Sequence, residues 1–378
     1  EISCSLVGSE MCIRDSNTYY QENNRCGLKR ADFQKDINGK ITDLYILSND
    51  NGVEVAVTNY GGAILAIMVP DKNGKFGNVV QGHDNIDQVI NSPEPFLSTL
   101  IGRYGNRIAK GKFQLDGKEY NLTINNGPNS LHGGPTGYHA RVWDAEQTSQ
   151  QNLTLHYLSK DGEEGFPGNL DITVNYTLTD QNELKLTYSA KTDKRTIVNL
   201  THHAFFSLAG LANPTPSVEN NILTINADHF TPMDEVSITT GEILKVEGTP
   251  MDFRTPHTVG SRINEPFQQL IWGAGYDHNY VLNKREPGEL TFAVKCVEPI
   301  SGRSLEMYTT EPGVQVYTAN WNSGFIGWHG ATYPSRSAIC FEAQHFPDTP
   351  NKPQFPSVEL NPGESYSQVT IYKFGIEK

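Results

Sequence analysis

The acidic residue Glu342 interrupts an otherwise apolar strand pattern, AICFEAQHF at positions 338–346. A carboxylate with such neighbours is buried or half-buried, and burial raises its pKa. Burial of a carboxylate costs free energy, so a buried acid indicates a paired cation or a part in catalysis. Cys340 lies on the same face of this strand, because side chains alternate with a period of two. Glu342 is therefore the first candidate for proton transfer.

Two histidine segments could supply the partner of this acid. In VNLTHHAFF, His202 and His203 are neighbours on a predicted strand and point to opposite faces, which argues against a metal clamp built from both. Either one can also be a satisfied structural histidine. In NSLHGG, His132 precedes two glycines, where backbone can approach a ligand closely, although a histidine that caps a turn is the alternative.

Two further segments carry groups that suit hydroxyls. GRYGNRI places Asn106 and Arg107 in one glycine-rich turn, and a guanidinium fork suits paired hydroxyls or a carboxylate. The alternative is a turn with a solvated arginine. GYDHNYVL starts an apolar strand with Asp277, which would bind hydroxyls or cap a turn.

The sequence lacks the motifs of most cofactor-dependent chemistry. HExxH, GxSxG, a phosphate loop and a dinucleotide fingerprint in a βαβ context are all missing. The five cysteines are odd in number and none is spaced as CxxC, which argues against a disulfide framework and a structural zinc site. The remaining acids, histidines, arginine and amides form a set for proton transfer on a hydroxylated substrate, with no metal or organic cofactor.

The elements that must position these residues are short strands. From Leu44 onward, apolar alternations such as Val53–Thr58, Leu170–Leu178 and Leu184–Ala190 are separated by Asn, Asp and Gly turns. Helical windows are few, and Ile86–Ile90 reads as one helical turn. Because neither a linker nor a fixed-period repeat divides the chain, the sequence predicts an all-β fold, one large single-domain antiparallel β-sandwich.

The first residues need separate treatment. Residues 1–16, EISCSLVGSEMCIRDS, have no strand or helix period and resemble translated adaptor or vector sequence, so we predict a non-native leader there. Residues 17–29 receive no assignment, and disorder is one expectation for them. The sandwich domain is expected to span residues 30–378.

The amino-acid composition limits the kinds of molecule that the protein is expected to bind. Lys and Arg number 30 and Asp and Glu 43, so the formal net charge is −13 and both nucleic acid and anionic membrane are poor partners. A neutral sugar is indifferent to this charge. Unpaired thiols favour a cytoplasmic location, with the periplasm as the alternative if a native signal peptide was lost. We expect a monomer.

The segments also occur in an order that resembles the aldose 1-epimerase (galactose mutarotase) family, from about Arg30 to Phe374. The resemblance rests on GRYGNRIAKGKF, NSLHGG, NLTHHAFFSL, TPMDEVSITTGEILKVEGTPMDFR, GYDHNYVLN, EPGVQVYTANW and FEAQHFPDTPNKPQFPSVELNPGESY. It implies a large antiparallel β-sandwich and an enzyme that interconverts the α and β anomers of free hexoses such as galactose or glucose.

The resemblance also implies roles for individual residues. Glu342 corresponds to the general base, His203 to the general acid, and His132 to a residue near the ring oxygen. The substrate-binding positions are Asn106, Arg107, Asp277 and Gln315. The family often has Asn before the acid histidine, and here that position is His202, so a swap between the two histidines is the alternative.

The implied acid–base pair predicts a bell-shaped pH profile, with the lower limb from Glu342 and the upper limb from His203. Three other functions stay open. A hexose-6-phosphate 1-epimerase would need a basic cluster. A glycosidase would use two carboxylates, for which Glu342 and Asp277 could serve. A non-catalytic carbohydrate-binding module would tolerate loss of the pair.

Overall fold

The computed structural model describes residues 17–378, and the predicted leader at 1–16 lies outside the described residues. Strands far outnumber helices, which confirms the all-β prediction. The largest sheet has nine antiparallel strands, in the spatial order Asp144–Ser149, Asn152–Ser159, Leu170–Leu178, Glu183–Thr192, Tyr366–Ile376, Arg303–Thr309, Thr291–Val297, Ile222–Ile225 and His257–Thr258.

Two smaller antiparallel sheets complete the main framework. The five-stranded sheet has the order Leu244–Lys245, His229–Thr231, Asp277–Val281, Gly313–Tyr317 and Cys340–Gln344. The four-stranded sheet has the order Leu44–Ser48, Glu54–Thr58, Ile64–Pro70 and Phe76–Asn78. Sequence positions far apart therefore become neighbours in the five-stranded sheet.

Short two-stranded ribbons connect this framework. They pair Lys35–Ile37 with Lys40–Thr42, Leu100–Ile101 with Thr201–His202, Arg107–Ile108 with Ser130–Leu131, Lys112–Leu115 with Lys118–Asn121, Thr196–Ile197 with Glu359–Leu360, and Phe325–Ile326 with Thr332–Tyr333. The α-helices are Ile86–Ile90 and Gln268–Gly273. Among residues 17–378, no helix is long and apolar enough to cross a membrane.

The alternation of side chains along a strand explains which residues face the core and which face the other side of each sheet. Along Leu170–Leu178, every second side chain is buried, as the period-two pattern predicted. In the Cys340–Gln344 strand, Phe341 and Ala343 join the main hydrophobic core together with Leu186 and Tyr188 of the nine-stranded sheet. Glu342 consequently faces the other side of its sheet, away from the core that fills the sandwich.

A second hydrophobic cluster packs on the four-stranded sheet. Cys26 and Leu28 are both buried in this cluster beside Phe33. Residues 17–29, which the sequence left unassigned, run as turns over this sheet.

Candidate active site

Glu342 lies in the middle of the Cys340–Gln344 strand, and only 2% of its surface is exposed. His203 Nε2 lies 3.5 Å from its Oε1 atom, and His132 Nε2 lies 3.9 Å from the same atom. That oxygen has no hydrogen-bond partner among residues 17–378. The structure thus brings together the acid and two histidines that the sequence singled out.

A ring contact and a backbone hydrogen bond hold the two histidines. His203 follows the short Thr201–His202 strand, and its ring stacks on Phe205 with a centroid distance of 4.8 Å. The His132 N–H donates to the Asn106 carbonyl at 2.9 Å. Gly133 has a φ of +84°, and a Cβ there would lie 2.0 Å from the Gly102 carbonyl oxygen, so the turn after His132 requires glycine.

The tautomer of His132 follows from its second contact with Asn106. The Asn106 N–H donates to His132 Nδ1 at 3.0 Å, so Nδ1 is an acceptor and the neutral ring carries its proton on Nε2. This Nε2–H points toward Glu342. His132, His203 and Glu342 lie close enough to hold a metal ion. A protonated Nε2 has no lone pair for a metal, so the arrangement suits hydrogen-bond donation instead.

His202 has a different environment from His203. Its ring is buried, Nε2 lies 3.3 Å from the Gly62 carbonyl, and Tyr176 packs against it edge-on. His203 lines the cavity in front of Glu342, whereas His202 points to the opposite face of its strand. The geometry therefore favours His203 over the swapped assignment.

All seven predicted site residues line one cavity of about 390 Å³. These are Asn106, Arg107, His132, His203, Asp277, Gln315 and Glu342. Gln315 Nε2 donates to Asp277 Oδ1 at 2.9 Å, and Arg107 Nε donates to Asn126 Oδ1 at 3.0 Å. A larger cavity of about 800 Å³ is mainly apolar, and none of the seven residues lines it.

A buried amide network behind the cavity was missed by the sequence analysis. Gln344 Nε2 donates to Asn279 Oδ1 and to Gln315 Oε1, both at 3.0 Å, and Asn106 Nδ2 donates to Gln344 Oε1 at 3.4 Å. The same alternation that placed Cys340 with Glu342 also places Gln344 on that face, so this residue could have been found. Glu94, another cavity residue, lies in a loop that gave no such signal.

Burial controls the charges of the central pair. It raises the pKa of Glu342 well above the usual value, and the nearby Asp277 carboxylate raises it further, whereas Arg107 opposes both effects. Burial lowers the pKa of His203 to about 3, and it lowers the pKa of His132 as well. The sequence analysis gave Glu342 the lower limb of the pH profile and His203 the upper limb. The structure reverses this order, because it places the pKa of Glu342 above that of His203. Burial therefore disfavours the charged form of both groups.

The fold and the cavity define a class of protein, a β-sandwich that binds a small hydroxylated molecule on one sheet face and moves protons on it. Residues 43–373 match the family described as aldose 1-epimerase. The galactose mutarotase of Bos taurus is 43% identical over 325 residues, which cover 86% of this chain and 92% of that protein. The aldose 1-epimerase of Escherichia coli (strain K12) is 34% identical over 334 residues, which cover 88% and 94%.

Solved structures agree with this match. The aldose epimerase homologue from C. elegans superposes with a TM-score of 0.81 at 28% identity, over 89% of this chain and all of that one (100%). The galactose 1-epimerase from Lactobacillus acidophilus NCFM gives 0.79 at 26% identity, over 91% and 97%. The chain belongs to the aldose 1-epimerase family, and it is an isomerase of that type.

Proposed function

We propose that the protein interconverts the α and β anomers of free hexoses such as galactose and glucose, with Glu342 as general base and His203 as general acid. The observation that carries the proposal is the 3.5 Å separation of His203 Nε2 and Glu342 Oε1 at the floor of a sugar-sized cavity. The names of the relatives, galactose mutarotase and aldose 1-epimerase, support the same substrate class.

The reaction needs two proton transfers and one bond rotation. The Glu342 carboxylate takes the proton of the C1 hydroxyl while the bond from C1 to the ring oxygen breaks, and the His203 imidazolium gives its proton to that oxygen. The C1–C2 bond of the open aldehyde then rotates. On closure His203 takes the proton back, the ring oxygen attacks the other face of C1, and Glu342 returns its proton to O1. Each transfer contributes roughly 10²–10⁴-fold.

The other cavity residues assist this chemistry. The Nε2–H of His132 and the guanidinium of Arg107 stabilise negative charge that develops on the ring oxygen. Asp277, Gln315 and Asn106 hold the sugar hydroxyls, and the amide network behind them fixes their orientation. Fixed donors and acceptors lower the entropic cost of bringing the C1 hydroxyl to Glu342.

Burial opposes the reactive charge state of the pair. It favours a neutral carboxyl and a neutral imidazole, and so disfavours the form with ionised Glu342 and protonated His203. Arg107 favours ionised Glu342, and a sugar hydroxyl that donates to the carboxylate acts in the same direction. Substrate binding thus helps to create the reactive form.

Optical rotation tests the proposal directly. Freshly dissolved α-D-galactose or α-D-glucose should reach its final rotation faster with the protein than without it. Glu342→Gln should lower the catalysed rate by about 10² or more, since it removes a catalytic base. Glu306→Gln on the opposite sheet is the matched control and should keep the rate.

The outcomes separate the alternatives. If Glu342→Gln kept the full rate, the base would be assigned wrongly. If neither sugar were accelerated, pentoses and hexose 6-phosphates would be tried next, and failure there would favour a binding module. Release of an aryl group from an aryl glycoside would indicate a glycosidase instead.

A further inference from the structure

Glu94 is a third carboxylate in the active cavity, and no step of the reaction uses it. It lies in the loop after the Ile86–Ile90 helix, between Pro93 and Pro95. Proline fixes its own φ and restricts the residue before it to extended backbone. The two prolines therefore hold the Glu94 backbone in a stiff segment at the cavity wall.

The Glu94 side chain is pinned as well. The Phe96 N–H donates to Glu94 Oε1 at 3.1 Å. The Phe96 ring packs against His132 with a centroid distance of 4.8 Å, so the same short loop supports a site histidine. Burial raises the pKa of Glu94 to about 7, and the charge of Glu94 raises the pKa of Glu342 and Tyr317. The charge of Glu94 thus interacts electrostatically with Glu342 and Tyr317, which also line the cavity.

Carboxyl groups outnumber basic groups in the lining of the cavity. Within residues 17–378, its lining has three carboxylates, Glu94, Asp277 and Glu342, and one guanidinium, Arg107. The histidines add no positive charge, because burial lowers their pKa values. An adjoining cavity of about 250 Å³, which shares Arg107 and Asp277, adds the acid Glu235.

An anionic ligand meets a penalty in such a site. It lies beside those carboxyl groups that are ionised, and its charge further disfavours the ionised Glu342 that proton transfer needs, so both binding and reaction cost free energy. Arg107 is the one guanidinium of the described lining that opposes this effect. A neutral sugar avoids this penalty, and its hydroxyls can donate hydrogen bonds to the same carboxylates.

We propose that Glu94 is a specificity residue that excludes anionic sugars, such as uronates and sugar phosphates, and so reserves the site for neutral aldoses. The inference rests on the proposed epimerase function and adds a residue and a substrate class to it. Among the three carboxylates, Glu94 is the one without a part in proton transfer or in the Asp277–Gln315 pair, so its charge can be changed separately.

The test compares galacturonate with galactose, which differ at C6 by a carboxylate. The measured quantity is the ratio of kcat/KM for galacturonate to kcat/KM for galactose. At about pH 8.5, above the pKa of about 7 that burial gives Glu94, Glu94→Gln should raise this ratio about tenfold, as expected when a like-charge repulsion of about 1.4 kcal/mol is removed. Glu94→Asp keeps the charge and should keep the low ratio of the wild type. Asp87→Asn removes an exposed charge paired with Lys35 and should also leave the ratio unchanged.

The results show whether the preference for galactose over galacturonate depends on the charge at position 94 or on a structural effect of the substitution. An unchanged ratio in Glu94→Gln, or an equal rise in Glu94→Asp or Asp87→Asn, would overturn the proposal, because the effect would then not depend on the charge at position 94. A wild-type protein that used galacturonate as well as galactose would also overturn it while leaving the epimerase function intact. A wild-type protein without activity on galactose would overturn the epimerase function, and this inference with it.

Discussion

At the scale of single residues, the opposite pKa shifts of Glu342 and His203 set the pH dependence that we expect. Burial raises the pKa of the acid and lowers that of the imidazole to about 3, so the singly protonated pair spans the range between the two values. With the proposed roles, we expect loss of a proton from Glu342 to end activity at high pH. We expect gain of a proton by His203 to end it at low pH.

We therefore expect a bell-shaped profile of kcat/KM, which reports the free enzyme, with Glu342 titrating on the alkaline limb. Carboxyl-labelled glutamate observed by NMR would follow this titration, with Glu342→Gln identifying the resonance. Titration of Glu342 on the acidic limb would contradict the expected order and restore the one that the sequence suggested.

At the scale of the element, the Cys340–Gln344 strand connects catalysis with binding. Glu342 and Gln344 lie on one face of it, and Gln344 contacts Asn106, which is 238 positions away in the sequence. Through Gln315, the same amide reaches the Asp277 carboxylate. The strand thus aligns Glu342, the proposed base, with the residues proposed to hold the sugar.

Gln344→Leu should raise KM about tenfold and change kcat less, because it removes the support of Gln315 and Asn106 without touching Glu342. Buried partners left unpaired should also cost about 1–3 kcal/mol of folding stability. Gln368→Leu is the matched control, since Gln368 is a buried amide of the opposite sheet that donates to the Leu200 carbonyl. Thermal denaturation should show a similar loss of stability in both variants, whereas steady-state kinetics should show the rise in KM only in Gln344→Leu; equal KM effects would contradict the positioning role.

A comparison of particular elements shows which features of the fold and the site could be predicted from the sequence alone. The strand Leu170–Leu178 and the helical turn Ile86–Ile90 were predicted with the bounds that the structure has, because their patterns are local. The seven site residues were found by their unusual neighbours and by family resemblance, and they surround one cavity. Glu94 and the order of the two pKa values were not predictable, because they depend on burial by segments far away in the chain.

At the scale of the whole molecule, the active site weakens the fold that carries it. The main core fills the space between the sheets, whereas Glu342 lies buried on the other face of its sheet with one oxygen unpaired among the described residues. Such a group costs stability when it is ionised. The nine-stranded sheet and its core supply the stability that offsets this cost.

The sign of this cost depends on pH. Below the pKa of an unfolded glutamate, about 4.3, the carboxyl is protonated in both the folded and the unfolded state and costs little. As pH rises above that value, the unfolded chain ionises freely while burial resists ionisation of Glu342, so the cost grows until pH passes the raised pKa of the folded protein. Glutamine has no charge and escapes this cost.

Glu342→Gln should therefore unfold at a higher temperature than the wild type at about pH 8, by on the order of 2 °C, and at nearly the same temperature at about pH 4.5. Thermal denaturation followed by circular dichroism at the two pH values measures the difference, and Glu306→Gln supplies the comparison for a partly exposed glutamate. A gain that was equal at both pH values would trace the effect to packing, and a loss of stability at pH 8 would show that the Glu342 carboxylate is paired in the folded protein. A rise in unfolding temperature confined to high pH would mean that the ionised Glu342 carboxylate, which the proposed proton transfer requires, also destabilises the folded protein.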